Sequence, residues 1–222
     1  MINIALDGPS GAGKSTIARA AANIFGFTYI DTGAMFRSLA LKALRNGINI
    51  KDEEEKIKDM LIQTSLDISR GEDGQHMILD GEDITGLIRT PEVSKGASDI
   101  AVIPYVRTWL LNTERDIASK YDCIMDGRDI GTSVLPDAKC KIFLTASAEK
   151  RAERRLKELL EKGIETSFDE VLKEMKYRDE QDANREVSPL KMADDAILAD
   201  TSDLGLDESV ELVCNIIRKV IF

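Results

Sequence analysis

The chain has 222 residues, 43% hydrophobic and 32% charged, with 40 acidic against 30 basic side chains and a formal net charge of −10. That mix belongs to an ordinary globular domain, and the length suffices for a core without disulfides or a structural metal. No apolar run is long enough for a transmembrane helix, and Cys123, Cys140 and Cys214 form no C-x-x-C pair, which argues against a disulfide framework or a cysteine zinc site.

The first residues show no basic stretch followed by an apolar one, so a cytoplasmic protein is expected. An acidic chain repels nucleic-acid backbones on average, and neither nucleic acid nor membrane is expected as a partner. Any anion must then be held by a local arrangement of donors.

Residues 2–7 (Ile-Asn-Ile-Ala-Leu-Asp) read as a buried parallel strand. A glycine-rich turn follows, and from Lys14 a helical pattern places Ile17, Ala20, Ala21 and Ile24 on one face, with Gly26 suited to end it. Phe27–Ile30 is a second strand, Met35–Arg45 a helix stopped by Gly47, and Glu53–Ile62 a charged amphipathic helix. Leu66–Arg70, a turn around Asp73-Gly74, and His76–Gly81 predict a β-hairpin continued by Asp83–Thr85. Pro91 and Pro104 open two helices at positions that tolerate proline. Cys123–Asp126 and Lys141–Thr145 are further strands, Glu149–Glu161 and Phe168–Asp182 charged helices, Ala196–Asp200 a last strand and Glu208–Ile221 a closing helix. Strands alternating with helices predict an α/β fold with a five-stranded parallel sheet flanked by helices.

Gly8-Pro9-Ser10-Gly11-Ala12-Gly13-Lys14-Ser15 matches G-x-x-x-x-G-K-[ST] in full, between a predicted strand and a predicted helix. Glycines let several backbone N–H groups converge on one anion, and the helix beginning at Lys14 adds the positive end of its dipole. Lys14 supplies a mobile charge for the β- and γ-phosphates, and the Ser15 hydroxyl is a hard ligand for Mg²⁺. Such a loop implies a nucleoside triphosphate without saying what is done with it. Asp126 ends an apolar strand, where alone it would read as a turn cap; beside a phosphate loop it reads as a carboxylate orienting magnesium-bound water.

Arginines fall where a second anion would sit. Arg37 and Arg128 follow two strand ends, the usual ligand positions in open α/β sheets. Arg107 opens a helix behind Pro104, and Arg151, Arg154 and Arg155 share one helix, as phosphate grips or as a solvated ion-paired face. Arg178 and Arg185 share a face if their helix runs that far. His76 is the single histidine, so serine or cysteine nucleophile chemistry has little to draw on. An acceptor that is itself a phosphate, with a second pKa of about 6, is largely dianionic at neutral pH and needs neutralisation more than a general base.

The chain resembles bacterial cytidylate kinases of the P-loop nucleoside monophosphate kinase superfamily. The resemblance rests on Asp7-Gly-Pro-Ser-Gly-Ala-Gly-Lys-Ser, Asp31-Thr-Gly-Ala-Met-Phe-Arg37, Gly81-Glu-Asp-Ile-Thr, Ile88-Arg-Thr-Pro-Glu-Val-Ser and Asp126-Gly-Arg-Asp-Ile-Gly-Thr132. It continues through Pro136-Asp-Ala, Lys141-Ile-Phe-Leu-Thr-Ala-Ser, Arg178-Asp and Ser188-Pro-Leu. It implies a P-loop NTPase fold in one domain: a core near 1–60, 101–148 and 167–222, a β-rich monophosphate-binding insert near 61–100, and a short helical lid near 149–166. Phe36, Ser133 and Leu135 stand where tyrosine, valine and phenylalanine are common, and none of these departures removes a charged site residue.

The implied activity is transfer of the γ-phosphoryl of ATP to CMP or dCMP, with Mg²⁺ held by Ser15 and Asp126. Gly8, Pro9, Ser10, Gly11, Ala12, Gly13, Lys14, Ser15 and Thr16 would hold ATP phosphates, with Arg154 from the lid. Thr32, Arg37 and Arg128 would bind the acceptor phosphate, with Arg185 nearby, and Lys14, Arg37, Arg128 and Arg185 would form the catalytic set. Ser98, Arg107 and Asp129 would read the cytosine edge, and Arg178 and Asp182 the sugar side. A monomer is expected. The rival readings are a kinase for UMP, AMP or a hydroxylated metabolite, and a nucleotide-switched binding protein.

Overall fold

Ile4, Ala5 and Leu6 are fully buried on β1 (Asn3–Asp7), as a strand covered on both faces requires. This strand lies at the centre of a five-stranded sheet. Around it come α1 (Lys14–Phe25), β2 (Thr28–Asp31), β6 (Cys123–Gly127), β7 (Cys140–Thr145), α6 (Ala148–Glu161), α7 (Phe168–Ala183), β8 (Ile197–Asp200) and α8 (Leu206–Ile221). The sheet order is β2-β6-β1-β7-β8, so the first strand lies between two later ones. β1 pairs in parallel with β6 and β7, and β7 with β8. The expected five-stranded α/β architecture is therefore the observed one.

The structure, a computed structural model, describes residues 1–71, 74–161 and 163–222. The turn expected around Asp73 and residue 162 of the expected lid lie outside the described residues. The chain divides into two compact units, Met1–Tyr29 with Lys120–Phe222, and Ile30–Ser119. In the first, Ile4, Leu6, Ile17, Ile124, Ile142, Leu144, Val213 and Ile217 build the core between the sheet and α1 and α8.

The second unit holds α2 (Thr32–Arg45), α3 (Glu54–Ile62), the antiparallel strands β3 (Leu66–Gly71), β4 (Gly74–Leu79) and β5 (Glu82–Asp83), α4 (Pro91–Ile100) and most of α5 (Pro104–Lys120). Its own core gathers Met35, Leu39, Ile57, Leu61, Met77, Ile84, Ile100 and Leu110. The β-rich stretch expected near 61–100 falls inside this unit. Thr90 caps α4 by accepting the Val93 N–H at 3.2 Å, with Pro91 at the first helical position. No helix among the described residues is long and apolar enough to cross a membrane.

Two local expectations are corrected. The buried face of α1 is Lys14, Ile17, Ala18, Ala21 and Ala22, whereas Ile24 is 56% exposed. Four alanines between positions 18 and 22 satisfy several registers equally, and small side chains let the helix lie close to the sheet on whichever stripe tertiary packing selects. α7 ends at Ala183 with Asn184 as its C-cap, so Arg185 lies beyond the helix and shares no helical face with Arg178. A turn not expected from the sequence also appears: Ile130–Val134 form a single π-helical turn directly after β6.

Candidate active site

The phosphate loop takes the shape that its glycines allow. Gly8, Gly11 and Gly13 all have positive φ, at 150°, 75° and 89°. At Gly8 a Cβ would stand 1.9 Å from the Leu144 carbonyl oxygen on the neighbouring strand, so only glycine lets the loop leave the sheet there. Gly13 leads into α1, whose N-terminus carries no side-chain cap and no acidic residue in its first turn. The first amides of α1 are thus left for an external anion.

Lys14 is buried, its ammonium donating to the Pro9 carbonyl at 2.8 Å. Burial, and then repulsion from Arg128, lowers its pKa well below that of an ordinary lysine, against the pull of Asp126, Asp182 and Asp7. A polyphosphate arriving here would stabilise the charged form.

Ser15 donates its hydroxyl to Asp126 Oδ2 at 2.7 Å, and the Tyr29 hydroxyl donates to Asp126 Oδ1 at 3.3 Å. A hydroxyl and a carboxylate side by side, next to a phosphate loop, are the hard oxygen donors that suit Mg²⁺. Among the described residues no cluster of three or more His, Cys, Asp or Glu side chains could hold a metal by itself.

Further cations of the first unit follow. The Arg128 Nε donates to Asp182 Oδ2 at 2.7 Å, and Arg185 Nη1 lies 3.9 Å from the other oxygen of Asp182. Burial works against the Asp182 carboxylate, yet the charge and hydrogen bond of Arg128, helped by Arg185 and Lys14, hold its pKa below the usual range. Arg178, on α7, has Glu174 3.9 Å away. Asp129 is buried at the start of the π-helical turn.

The three arginines of α6 have different fates. Arg151 is buried: its Nε donates to the Ala146 carbonyl at 2.9 Å, its Nη1 to the Ser10 carbonyl at 2.9 Å, and both Nη groups to Asp179 at 3.1 and 2.6 Å. Arg154 donates to the Thr201 carbonyl at 2.6 Å, in the loop before α8. Arg155 is paired with Glu158 on the same helix.

In the second unit Asp31 caps α2 by accepting the Ala34 N–H at 2.8 Å, and its other oxygen accepts from Arg37 Nη2 at 2.9 Å. The Asp31 N–H donates to Gln75 Oε1 on β4 at 2.9 Å. Arg37 Nε is buried and has no hydrogen-bond acceptor among the described residues, an orphan donor of the kind that a ligand oxygen satisfies. Thr32 is buried at the first position of α2. Ser98, on α4, has its hydroxyl 3.4 Å from the Ser94 carbonyl. Arg107, buried on α5, lies over the Phe36 ring at 5.5 Å and donates to the Ala101 carbonyl at 3.2 Å. His76, on β4, pairs with Asp83 at 2.7 Å.

Gly8–Thr16, Asp126, Arg128, Asp129, Arg154, Arg178, Asp182 and Arg185 therefore belong to one unit, and Thr32, Arg37, Ser98 and Arg107 to the other. Sequence reasoning overlooked Tyr29 as a partner of Asp126, Gln75 behind Asp31, Asp179 as the partner of Arg151, and Asp7. Asp7 carried a visible signal, a carboxylate closing an otherwise apolar strand.

Compared with known proteins, residues 4–219 match the family described as cytidylate kinase. A cytidylate kinase of Carboxydothermus hydrogenoformans is 49% identical over 218 residues, covering 98% of each chain. One from Caldanaerobacter subterraneus subsp. tengcongensis is 50% identical over 218 residues, covering 98% of this chain and 95% of its own. The crystal structure of an uncharacterized protein from Eubacterium ventriosum is similar in fold, with a TM-score of 0.54 at 14% identity, covering 98% of this chain and 99% of that one.

Proposed function

The chain belongs to the cytidylate kinase family, and we propose that it transfers the γ-phosphoryl group of ATP to CMP or dCMP, giving ADP and the nucleoside diphosphate. The observation that carries this reading is a phosphate loop with an uncapped helix N-terminus in a chain that also holds Arg128 and Arg37, each engaged by a single carboxylate. A protein that only bound and hydrolysed a triphosphate would have little use for those two arginines.

The chemistry asks little of a proton acceptor. The attacking atom is an oxygen of the acceptor phosphate, dianionic above a pKa of about 6, so positioning and charge neutralisation carry the reaction. The loop amides and Lys14 hold the β- and γ-phosphates. Arg128 and Arg37, with Thr32 and Arg185, take the acceptor phosphate, whose oxygens would satisfy the orphan Nε of Arg37. Ser98, Arg107 and Asp129 select cytosine, whose exocyclic amine donates to a carboxylate and whose ring acceptors take guanidinium and hydroxyl donors. Arg178 and Asp182 serve the sugar, and Arg154 serves the ATP side. Ser15 and Asp126 would hold Mg²⁺, which when bound neutralises charge on the donor phosphates. The working form is a cytoplasmic monomer.

The test is ADP release from Mg-ATP with CMP, dCMP, UMP, AMP or no acceptor. Turnover strongest with CMP and dCMP and negligible without acceptor is the expected result. Preference for another monophosphate would overturn the roles given to Ser98, Arg107 and Asp129. Slow turnover indifferent to acceptor would leave a nucleotide-switched protein.

A further inference from the structure

Two of the residues assigned to the acceptor, Arg128 and Asp129, sit in a short link between the end of β6 and the π-helical turn. That turn cannot satisfy its own first amides. The Asp129 carbonyl accepts from Ser133 at 2.8 Å and Val134 at 3.2 Å, and the Ile130 carbonyl from Leu135 at 2.7 Å, but the N–H groups of Ile130 and Gly131 point out of the turn. Both are taken by Asp7. One carboxylate oxygen accepts from Ile130 at 2.8 Å and the other from Gly131 at 2.7 Å. The backbone of Asp7, last residue of the central strand, also stands in register with Gly127 on β6. One residue therefore holds the chain on both sides of Arg128 and Asp129.

We propose that Asp7 is a positioning residue, whose carboxylate fixes the Ile130–Gly131 amides while its backbone faces Gly127, and so sets the aim of Arg128 and Asp129 at the acceptor nucleotide. The inference rests on the acceptor roles given above to those two residues. Asp7 is 4% exposed, and burying a carboxylate to receive two neutral amides is costly where packing alone is served. Burial pushes its pKa up to about 6; the two amides and Lys14 pull the other way, and Asp129 adds to the rise. Lys141 is a further charge beside the turn, and it is paired through its ammonium with Asp195 at 2.8 Å. The fit is close: a Cβ on Gly131 would lie 3.3 Å from Asp7 Oδ2 and 3.2 Å from Lys141 Cδ.

Asp7→Asn tests this because it keeps the shape and one acceptor but turns an amide group toward a peptide N–H. Steady-state rates are measured with CMP and with ATP varied in turn, alongside wild type and Arg128→Met. The expected result at pH 7.5 is an acceptor KM raised about tenfold or more, with the ATP KM within about twofold of wild type. Titration of CMP itself affects both enzymes alike, so the ratio of their acceptor KM values isolates Asp7. That ratio should shrink toward one below about pH 6, where Asp7 of the wild type is itself protonated.

An unchanged acceptor KM, equal rises in both KM values, or a ratio indifferent to pH would each overturn the proposal. Should Asp7→Asn not fold, Gly131→Ala decides, since it crowds the turn while leaving the carboxylate in place. It should raise the acceptor KM alone, and a wild-type acceptor KM would count against the proposal. If Arg128→Met leaves the acceptor KM unmoved, the acceptor role of Arg128 fails instead.

Discussion

Arg151 offers the sharpest test of the distinction between arginines that bind phosphate and arginines that hold the protein together. Its guanidinium is surrounded by the Ala146 and Ser10 carbonyls and by both oxygens of Asp179. Arg151→Met keeps most of the buried stem and removes every one of these donors. Breaking a buried ion pair from one side costs about 3–5 kcal/mol. The Asp179 side chain is 26% exposed and can be rehydrated in part, so a loss of about 2–3 kcal/mol is expected. At about 2–4 °C per kcal/mol in a chain of this size, melting should fall by roughly 5–10 °C.

Because Ser10 belongs to the phosphate loop, the ATP KM of this variant should rise several-fold while kcat stays within about threefold of wild type. Replacing Asp179 by Leu in the same chain removes both charges and should restore part of the stability. Calorimetry and steady-state kinetics on Arg151→Met and the double variant suffice. A structural role for Arg151 is refuted if Arg151→Met melts like wild type while kcat collapses by about a thousandfold, the behaviour of an arginine that stabilises the transferring phosphoryl group.

Lys14→Met should lower kcat by at least about 100-fold and yet melt no lower than wild type without ATP. A lysine pKa depressed on folding means that the charged form opposes the folded state, so the variant's advantage is largest at low pH and fades as pH rises toward the ordinary lysine range; a variant that melts well below wild type at neutral pH would contradict this. Arg107→Met should reduce the preference for CMP over UMP, measured as the ratio of kcat/KM values, by about tenfold, whereas equal loss on both substrates would remove its base-reading role. Asp7 has a folded pKa of about 6 against 3.8, so its contribution to stability is present below the lower value and lost as pH rises through the upper one. At neutral pH the carboxylate therefore opposes folding by about 3 kcal/mol, and Asp7→Asn should gain in melting temperature relative to wild type between pH 4 and 7.5; parallel melting curves would refute it.

How much of this was legible in the sequence depends on how local the cause is. The phosphate loop, the opening of helices at Pro91 and Pro104, and the stop of α1 at Gly26 are dictated by a few adjacent residues, and each stands where the sequence placed it. The face of α1 was not legible, because a run of alanines carries no periodic signal and the stripe is chosen by the sheet beneath. The π-helical turn was invisible for a related reason. Nothing in Ile130–Val134 demands it, and its first amides are satisfied by a carboxylate 123 and 124 residues away in sequence. Arg37, Arg128 and Arg151 all read as candidate phosphate ligands. Only the positions of Asp31, Asp182 and Asp179 distinguish them; the first pairing is local to the start of α2, but those of Arg128 and Arg151 reach 54 and 28 residues along the chain.

Those carboxylates also explain how a chain of net charge −10 can be suited to two phosphorylated nucleotides. A bare cluster of arginines would repel itself and attract polyanions indiscriminately. Here Arg37, Arg128 and Arg151 are each held by a carboxylate, and the pairs differ in what remains to be offered. Arg151, almost wholly buried and facing a carboxylate and two carbonyls, has four of its five donors engaged. Arg128 and Arg37 keep side-chain exposures of 27% and 22% and meet one carboxylate each, and Arg37 retains a buried Nε with no acceptor among the described residues. A single carboxylate orients a guanidinium without exhausting its five donors. On the proposed function, a phosphate approaching either arginine would compete with one aspartate rather than with the whole interior, so the number of internal acceptors around each arginine, more than its place in the sequence, would separate ligand-binding arginines from struts.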